Sequence, residues 1–365
     1  MKIGIDTTSV AQPRIVGISR FVVNLVANLA AMPNDDEYYL CYRPRALRHP
    51  RRIWRPRDPR FHVRLLQEPF NQRLVRMLDV YHATDQRLPH YYDRVPFLGT
   101  LHDVFYLSQP DAGSTRTRTR WQARYHDVAA RARLIMTLSE FSKAEIVRLL
   151  NVSPQRVRVV PLAPSAGYAP QPPELIAAVR RRYGLEHPYI LFGGGFGRRK
   201  NPLGALRAFA QALPRLPADV GLALSGVGGP LEADVRAYIR DTGLTARVKL
   251  LGFVPDADHP ALISGCLLYF FPSLLEGFGL PALEAMACGA PLLSSSTTSL
   301  PEACGDAAVL VDPSDEAALA AALVELALDP TLRAMLIERG RRRAQEFTWR
   351  RVAQTVHGLY RELAD

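Results

Sequence analysis

The sequence predicts an α/β protein built of two parallel sheets, each with helices on both faces. Three observations carry this expectation. Short apolar strand patterns alternate with helical periodicities twice over along 365 residues. A stretch at 161–173, holding Pro161, Pro164, Pro170, Pro172 and Pro173 and little periodicity, separates the two series. A chain of 365 residues also exceeds what one core usually holds. Domains at 1–165 and 166–348 follow, with a last helix at about 349–365 expected to return to the first. Two such domains imply a cleft between them, and open parallel sheets bind ligands beyond the carboxyl ends of their strands.

In the first half, residues 2–6 form an apolar strand pattern. A helix follows, with Phe21, Val22, Leu25, Val26 and Leu29 on one face. Further strands are expected at 38–42, 61–65, 79–83, 97–101, 133–138 and 157–160. Residues 140–150 read as a helix with Ser139 as its N-cap. The second half predicts strands at 189–192, 220–225, 248–251, 267–271, 291–295 and 308–311. Helices are expected between them at 202–213, 231–242, 260–264 and 281–288. Three helical patterns close the chain, from Ser314, Pro330 and Trp349.

Composition narrows the class. Hydrophobic residues make up 48% and charged ones 22%, as in water-soluble globular proteins. The longest apolar runs are short, such as 267–271, against the roughly 20 residues a bilayer span needs. The start lacks the apolar core of a signal peptide. Cys41, Cys266, Cys288 and Cys304 show no C-x-x-C spacing and read as reduced residues of a cytosolic protein, a pattern that does not suit zinc. The net charge of +11 is unevenly placed: residues 1–170 hold 26 Lys+Arg against 14 Asp+Glu, the remainder 20 against 21. Its densest run, from Arg43 to Arg64, has nine arginines and one acid, Asp58, with Trp54 and Phe61 interleaved. A second cluster spans Arg116 to Arg133. Such a surface is either merely solvated or suited to anionic lipid or an anionic substrate. No nucleic-acid motif accompanies it, so no nucleic-acid partner is expected.

The loops after strands are where chemistry is expected. Glu276-Gly277-Phe278-Gly279-Leu280-Pro281-Ala282-Leu283-Glu284 sets two carboxylates around a helix start. Pro281 is read as its first residue and Glu284 as lying in its first turn. The glycines let the backbone approach a ligand and the helix start suits an anion, although a carboxylate there also simply stabilises a helix. Gly193-Gly194-Gly195-Phe196-Gly197-Arg198-Arg199-Lys200-Asn201 feeds three cations into the helix opening at Pro202, an arrangement suited to a diphosphate. It is neither a P-loop nor the dinucleotide fingerprint. Gly17, in Val16-Gly17-Ile18-Ser19-Arg20, opens the first helix and serves a ligand or tight packing equally well. His102-Asp103 follows a strand, and His82 is a weaker candidate of the same kind. Asp256-Ala257-Asp258 suits a divalent metal. Capping of the next helix is the preferred reading, and no metal is expected.

These motifs together resemble the retaining family 4 glycosyltransferases, which have the GT-B fold of two Rossmann-like domains facing a central cleft. Glu276 to Glu284 resembles the E-x7-E motif of that family. Met1 to Asp6 with Gly17 to Phe21 resembles its opening strand, glycine loop and helix. Thr100-Leu101-His102-Asp103 resembles its T-x-H-D loop, and Ser139 to Ser142 with Val159 to Leu162 the end of its first domain. Arg198 to Pro202 is similar to its R-K-N diphosphate loop, and Leu251-Gly252-Phe253-Val254 to its base loop. The resemblance implies that Arg199 and Lys200, with Arg198 and Gly195 in the same loop, meet the donor diphosphate. It implies ribose hydroxyls on Glu284 and hydroxyls of the transferred sugar on Glu276. The backbone of Phe278, Gly279 and Leu280 would meet sugar and phosphate, and residues near Val254 the base. His102 would stand beside the anomeric carbon and Gly17 beside the diphosphate. One departure is Gly194, six residues before Lys200, where many relatives carry a further arginine.

The implied activity is transfer of a sugar from a nucleoside-diphosphate-sugar, GDP-mannose first, to a glycan or lipid-linked acceptor in surface polysaccharide synthesis. No cofactor is implied. Expected with it are a cytoplasmic location and peripheral contact of the basic first domain with anionic membrane. A nucleotide-sugar epimerase of the same fold, or a non-catalytic protein binding nucleotide sugar or nucleic acid, are the rival readings.

Overall fold

The structure, a computed structural model, describes residues 1–12, 17–66, 74, 76–89, 95–109 and 113–365. Contacts divide the chain into two compact units, Met1–Leu162 with Thr348–Asp365, and Ala163–Phe347. The first holds seven strands: β1 (Lys2–Asp6), β2 (Glu37–Tyr42), β3 (Phe61–Leu65), β4 (Val80–Ala83), β5 (Phe97–Thr100), β6 (Leu134–Thr137) and β7 (Val157–Val159). Their order is β3-β2-β1-β4-β5-β6-β7, and every ladder is parallel. The second unit holds β8 (Tyr189–Gly193), β9 (Gly221–Ser225), β10 (Val248–Gly252), β11 (Leu268–Phe271), β12 (Leu292–Ser295) and β13 (Val309–Val311). Their order is β10-β9-β8-β11-β12-β13, again parallel throughout.

Strand composition follows position in the sheet. Central strands such as Val-Tyr-His-Ala of β4, Leu-Ile-Met-Thr of β6 and Leu-Tyr-Phe-Phe of β11 are buried along their whole length. Helices cover both faces, so a central strand needs apolar residues at every position rather than at alternate ones. The edge strands β3, β7, β10 and β13 are only partly buried and carry Arg64, Arg158 and Lys249. Phe192, Phe209, Leu224, Phe270 and Leu323 join one core in the second unit. Tyr81, Leu101, Tyr125, Val128 and Ile146 join one in the first.

The helix Trp349–Ala364 packs on the helix Gly17–Ala30 and on β4 and β5 of the first unit. Tyr360 Oη lies 2.7 Å from His82 Nδ1, and His357 Nε2 lies 2.5 Å from Asp36 Oδ2. His82 Nε2 is 2.7 Å from Thr100 Oγ1, and the ring is fully buried. His82 is therefore a core histidine inside β4, not a loop residue offered to a ligand. Ser139 caps its helix as expected, accepting from the Ser142 N–H at 3.0 Å.

Several expectations are corrected. A helix at Thr115–Arg131 fills what the sequence showed only as a basic cluster, and Phe105–Ser108, Pro173–Arg182 and Leu300–Cys304 are also helical. Arginines or threonines at nearly every position from Thr115 to Arg120 obscure the periodicity; only Tyr125, Val128 and Ala129 are buried. Phe61 is not interleaved with surface arginines: it is fully buried and stacks on Tyr38 with ring centroids 4.6 Å apart. Asp258 occupies a cap position, but its side chain makes no capping bond. Its carboxylate instead accepts from Arg182 at 2.6 Å and Tyr183 Oη at 3.0 Å, because an ion pair outbids a cap.

Candidate active site

The strand order of the second unit reverses between β8 and β11, the position where open parallel sheets hold ligands. The loops leaving these two neighbours carry the two strongest sequence motifs. After β8 the backbone turns through Gly194 (φ 139°) and Gly195 (φ 69°) into a 3-10 turn at Arg198–Lys200. Asn201, itself at φ 58°, then starts the helix Pro202–Ala212, with its Nδ2 bound to the Pro313 carbonyl at 2.8 Å. After β11 the chain passes Ser273 and Glu276, turns at Gly279 (φ 101°) and enters the helix Leu280–Ala287. A Cβ on Gly279 would lie 2.6 Å from Leu300 Cδ2, so that turn needs glycine for conformation and for space.

The two loops are fastened together by side chains and backbone. Lys200 Nζ donates to Glu276 Oε1 at 2.6 Å, and Arg199 Nη1 stands 3.9 Å from Glu276 Oε2. The Arg199 carbonyl accepts from both the Leu274 N–H at 2.8 Å and Ser273 Oγ at 2.9 Å. Ser273 Oγ also lies 2.6 Å from Glu276 Oε1. Lys200 Nζ sits 4.8 Å from the Phe271 ring centroid, a cation over an aromatic face. Its stem packs on Gly194, where a Cβ would be 3.0 Å from Lys200 Cδ. That contact, with φ 139°, gives a reason for glycine where the resemblance expected arginine.

Glu276 is only 5% exposed. Burial would raise its carboxyl, but Lys200 foremost and then Arg199, with hydrogen bonds from Lys200 and Ser273, hold it below the ordinary value of 4.5. The group is therefore ionised at neutral pH. Its backbone N–H donates to Thr298 Oγ1 at 3.2 Å, and its carbonyl accepts from Ser299 Oγ at 2.8 Å. Thr298 holds φ 60°, which a β-branched residue rarely adopts. Ser273, Thr298 and Ser299 were not singled out from the sequence. The polar run Ser294 to Ser299, which ends β12 and continues into the loop after it, was the signal that could have found the last two.

The remaining second-unit candidates surround this pair unevenly. Glu284 is buried, but the helix begins at Leu280, so it lies past the first turn rather than in it. Arg198 is exposed while Arg199 and Lys200 turn toward Glu276. The Phe278 ring is buried against Phe347, leaving backbone as what this residue offers a ligand. Gly195, Gly226 and Gly252 are tied across the strand ends: Gly195 N–H donates to Ser225 O at 3.3 Å and Gly226 N–H to Gly252 O at 2.9 Å. Beyond Gly252, Val254 is half-buried and Phe253 is 59% exposed.

In the first unit, His102 follows β5. Its Nε2 lies 3.0 Å from the Thr84 carbonyl, which can only accept, so Nε2 carries the proton and Nδ1 keeps its lone pair. Burial lowers its pKa from 6.5, against the opposing pull of the Thr84 carbonyl and Asp103, so the ring is neutral at pH 7. Gly17 is exposed at the start of its helix, and a Cβ there would meet nothing within 4 Å among the described residues. Val16 lies outside the described residues. Among the described residues, no group of three or more His, Cys, Asp or Glu could hold a metal, and no helix is long and apolar enough to cross a membrane.

Comparison with known proteins finds relatives along the whole chain. A family described as Glycosyltransferase Family 4 matches residues 15–163, and one described as Glycosyl transferases group 1 matches residues 178–343. The chain is 32% identical to O-antigen chain mannosyltransferase B of Escherichia coli, with all of both chains covered. It is 31% identical to a D-inositol 3-phosphate glycosyltransferase of Acidothermus cellulolyticus, over 73% of this chain and 62% of that one. Among solved structures, Anabaena HepE in complex with UDP and glucose superposes with a TM-score of 0.74 at 18% identity, over 98% of each chain. Sucrose-phosphate synthase from Thermosynechococcus elongatus gives 0.73 at 22% identity, over 99% and 98%.

Proposed function

The chain belongs to glycosyltransferase family 4, with the GT-B fold, and from that premise we propose that it transfers mannose from GDP-mannose, with retention of configuration, to a lipid-linked glycan in surface polysaccharide synthesis. The observation that carries the transferase reading is the Lys200–Glu276 pair, with Arg199 beside it, at the reversal point of the second sheet. The full-length likeness to an O-antigen mannosyltransferase supports the sugar and the kind of product.

On this reading Arg199 and Lys200, with Arg198 and the Gly195 backbone, neutralise the diphosphate. Glu276 holds hydroxyls of the mannose and Glu284 those of the ribose. The Phe278, Gly279 and Leu280 backbone meets sugar and phosphate, and Val254 the base. His102 and Gly17 are the contributions read for the first unit. Negative charge grows on the β-phosphate as the glycosidic bond breaks, and preorganised cations stabilise it more in the transition state than in the ground state. Glu276 is held ionised against Lys200, so it orients hydroxyls rather than donating a proton. The departing phosphate oxygen takes the acceptor's proton on the same face of the sugar.

Countercharge comes from side chains, so activity is expected to survive EDTA. Loss with chelator and recovery with Mn²⁺ would overturn that. The acceptor is borne on the cytoplasmic face of a membrane, which the basic first unit touches. The decisive assay supplies GDP-mannose with and without a lipid-linked glycan. Release of GDP only when acceptor is present, with an α-linked product, is the expected result. GDP-sugar conversion without release of GDP would make the protein an epimerase, and tight binding with no turnover would make it a binder.

A further inference from the structure

The turn at 277–279 needs support from elsewhere in the second unit. Gly277 and Gly279 flank Phe278, and Gly279 sits at φ 101° as the N-cap of the helix Leu280–Ala287. Two glycines leave the backbone its greatest freedom, so the one side chain between them decides where the turn lies. Gly279 also brings no capping side chain, which leaves the first N–H groups of the helix to a ligand or to water. The Phe278 ring is buried and meets Phe347 edge to face, with centroids 5.9 Å apart and planes at 67°.

The two ends of the turn are fastened separately. Before it, the Glu276 N–H and carbonyl are bound by Thr298 and Ser299. After it, Gly279 packs on Leu300. Phe347, the last residue of the second unit, holds the middle. Phe347 is itself braced. The Arg343 guanidinium lies 4.9 Å from its ring centroid. Arg343 Nη2 and Nε also donate to the carbonyls of Glu302 at 2.6 Å and Ala303 at 3.1 Å. Those carbonyls end the helix Leu300–Cys304, whose last turn lacks donors of its own. The helices Pro330–Gln345 and Leu280–Ala287 pack closely behind them, since a Cβ on Gly340 would be 3.2 Å from Met286 Cγ. One network therefore joins Leu300, which touches Gly279, to Phe347, which touches Phe278.

We infer that Phe347, braced by Arg343, is a positioning residue for sugar transfer that fixes the Phe278 and Gly279 backbone, an inference that rests on reading this turn as a donor contact. Phe347 is half-buried, so shortening it opens less of a cavity than loss of a core aromatic and spares most of the fold. What it costs is placement. On the same reading the turn meets charge that grows on the departing phosphate, where a misplacement of about 1 Å lowers the rate about a hundredfold. Ribose and base are held by Glu284 and the loop at Val254, so ground-state binding of the donor should change little. An effect on kcat rather than on KM is therefore the mark of the role.

Two measurements on the full chain test it. In the first, amide hydrogen exchange is followed without ligand. Phe347→Leu is expected to quicken exchange at 277–280 at least tenfold, while the helix Pro202–Ala212 exchanges as in the wild type. Unchanged exchange at 277–280, or a rise spread equally over the second unit, overturns the anchor. In the second, turnover of GDP-mannose with the lipid-linked acceptor is measured. Phe347→Leu is expected to lower kcat at least tenfold with the donor KM within threefold. Phe347→Tyr, which keeps the ring, should retain most of kcat. Phe278→Leu should be as slow as Phe347→Leu, and the double variant no slower than either, because all three lose one contact. Losses that multiply in the double variant, an unchanged kcat, or matched changes in KM and melting temperature overturn the role. Where Phe347→Leu does not fold, Arg343→Met carries the test, since it keeps both rings and removes the brace. At least a threefold fall in kcat with faster exchange at 277–280 is then expected, and no such fall overturns the inference. A wild type that transfers sugar from no nucleoside-diphosphate-sugar sinks the donor reading, and the exchange measurement then still decides whether Phe347 anchors the turn.

Discussion

Buried Glu276 and half-buried Lys200 pair at 2.6 Å, so removing either leaves the other's charge unpaired in a place with little water. Two expectations separate their roles. Lys200→Ala should lower kcat far more than it raises the donor KM, by about 2–4 kcal/mol of transition-state stabilisation. Steady-state kinetics with an unchanged kcat would place the phosphate elsewhere. Glu276→Gln should lower the melting temperature at neutral pH. The Glu276 pKa is depressed in the folded state, so its contribution is complete above about 4.5 and is lost as pH falls through the lower folded value. The gap between wild type and variant should therefore close in acid, and a gap constant from pH 7 to 4 would refute the ion pair as its source. Both residues stood out in the sequence because charge and glycine occur together in the loops that follow β8 and β11, and the structure pairs them. Thr298 was not, because its role lies in a φ of 60° and in a bond to the Glu276 backbone, neither of which residue identity alone reveals.

Elements were legible where periodicity was clean and illegible where surface chemistry diluted it. The strands were found because burial on both faces leaves an apolar run with no polar alternation, and their ends moved by only a residue or two. The helix Thr115–Arg131 escaped because its buried face is three residues amid arginines. The helix Trp349–Ala364 was anticipated as an element, but its anchorage rests on a buried histidine that the sequence offered as a loop candidate. His82, bound to Tyr360 and Thr100, has its pKa lowered to about 3, first by burial and then by His102. A base whose folded pKa is depressed contributes stability that is complete above its unfolded value of 6.5 and declines as pH falls toward 3. The first unit should accordingly lose on the order of 2 kcal/mol between neutral pH and pH 5, from this one group. Denaturant unfolding across that range should show a steeper pH slope for wild type than for His82→Gln, by one proton. Equal slopes would mean that His82 does not titrate between the two states.

For the whole molecule, the separation of charge is the property with the widest consequence: residues 1–170 carry +12 and the remainder −1. The structure sorts the arginine run that dominates it. Arg43, Arg45 and Arg60 are committed to Asp6, Asp85 and Asp58, and Arg60 also binds the Ala30 and Met32 carbonyls at a helix end. Arg48, Arg51, Arg52, Arg55 and Arg57 are exposed, beside Leu47 at 51% exposure. Two of them also donate to backbone, Arg52 Nη1 to the Gln12 carbonyl at 2.8 Å and Arg55 Nη1 to the Phe61 carbonyl at 3.3 Å. Trp54 is half-buried, with its backbone N–H and carbonyl both bound to Tyr42 Oη, so it is a weaker anchor than Leu47. Attraction to anionic lipid is worth about 1 kcal/mol for each such arginine near the surface. Five acting together suffice for reversible attachment in low salt, and screening over a Debye length of about 8 Å reduces it at physiological ionic strength. Co-sedimentation with vesicles should therefore show binding to anionic lipid, little to neutral lipid, and a fall with added salt. Reversing Arg51, Arg52, Arg55 and Arg57 to Glu should abolish pelleting without changing turnover of a soluble acceptor analogue. Negligible pelleting under every condition, or full pelleting of the reversed variant, would reduce the run to a solvated surface and favour an acceptor free in solution.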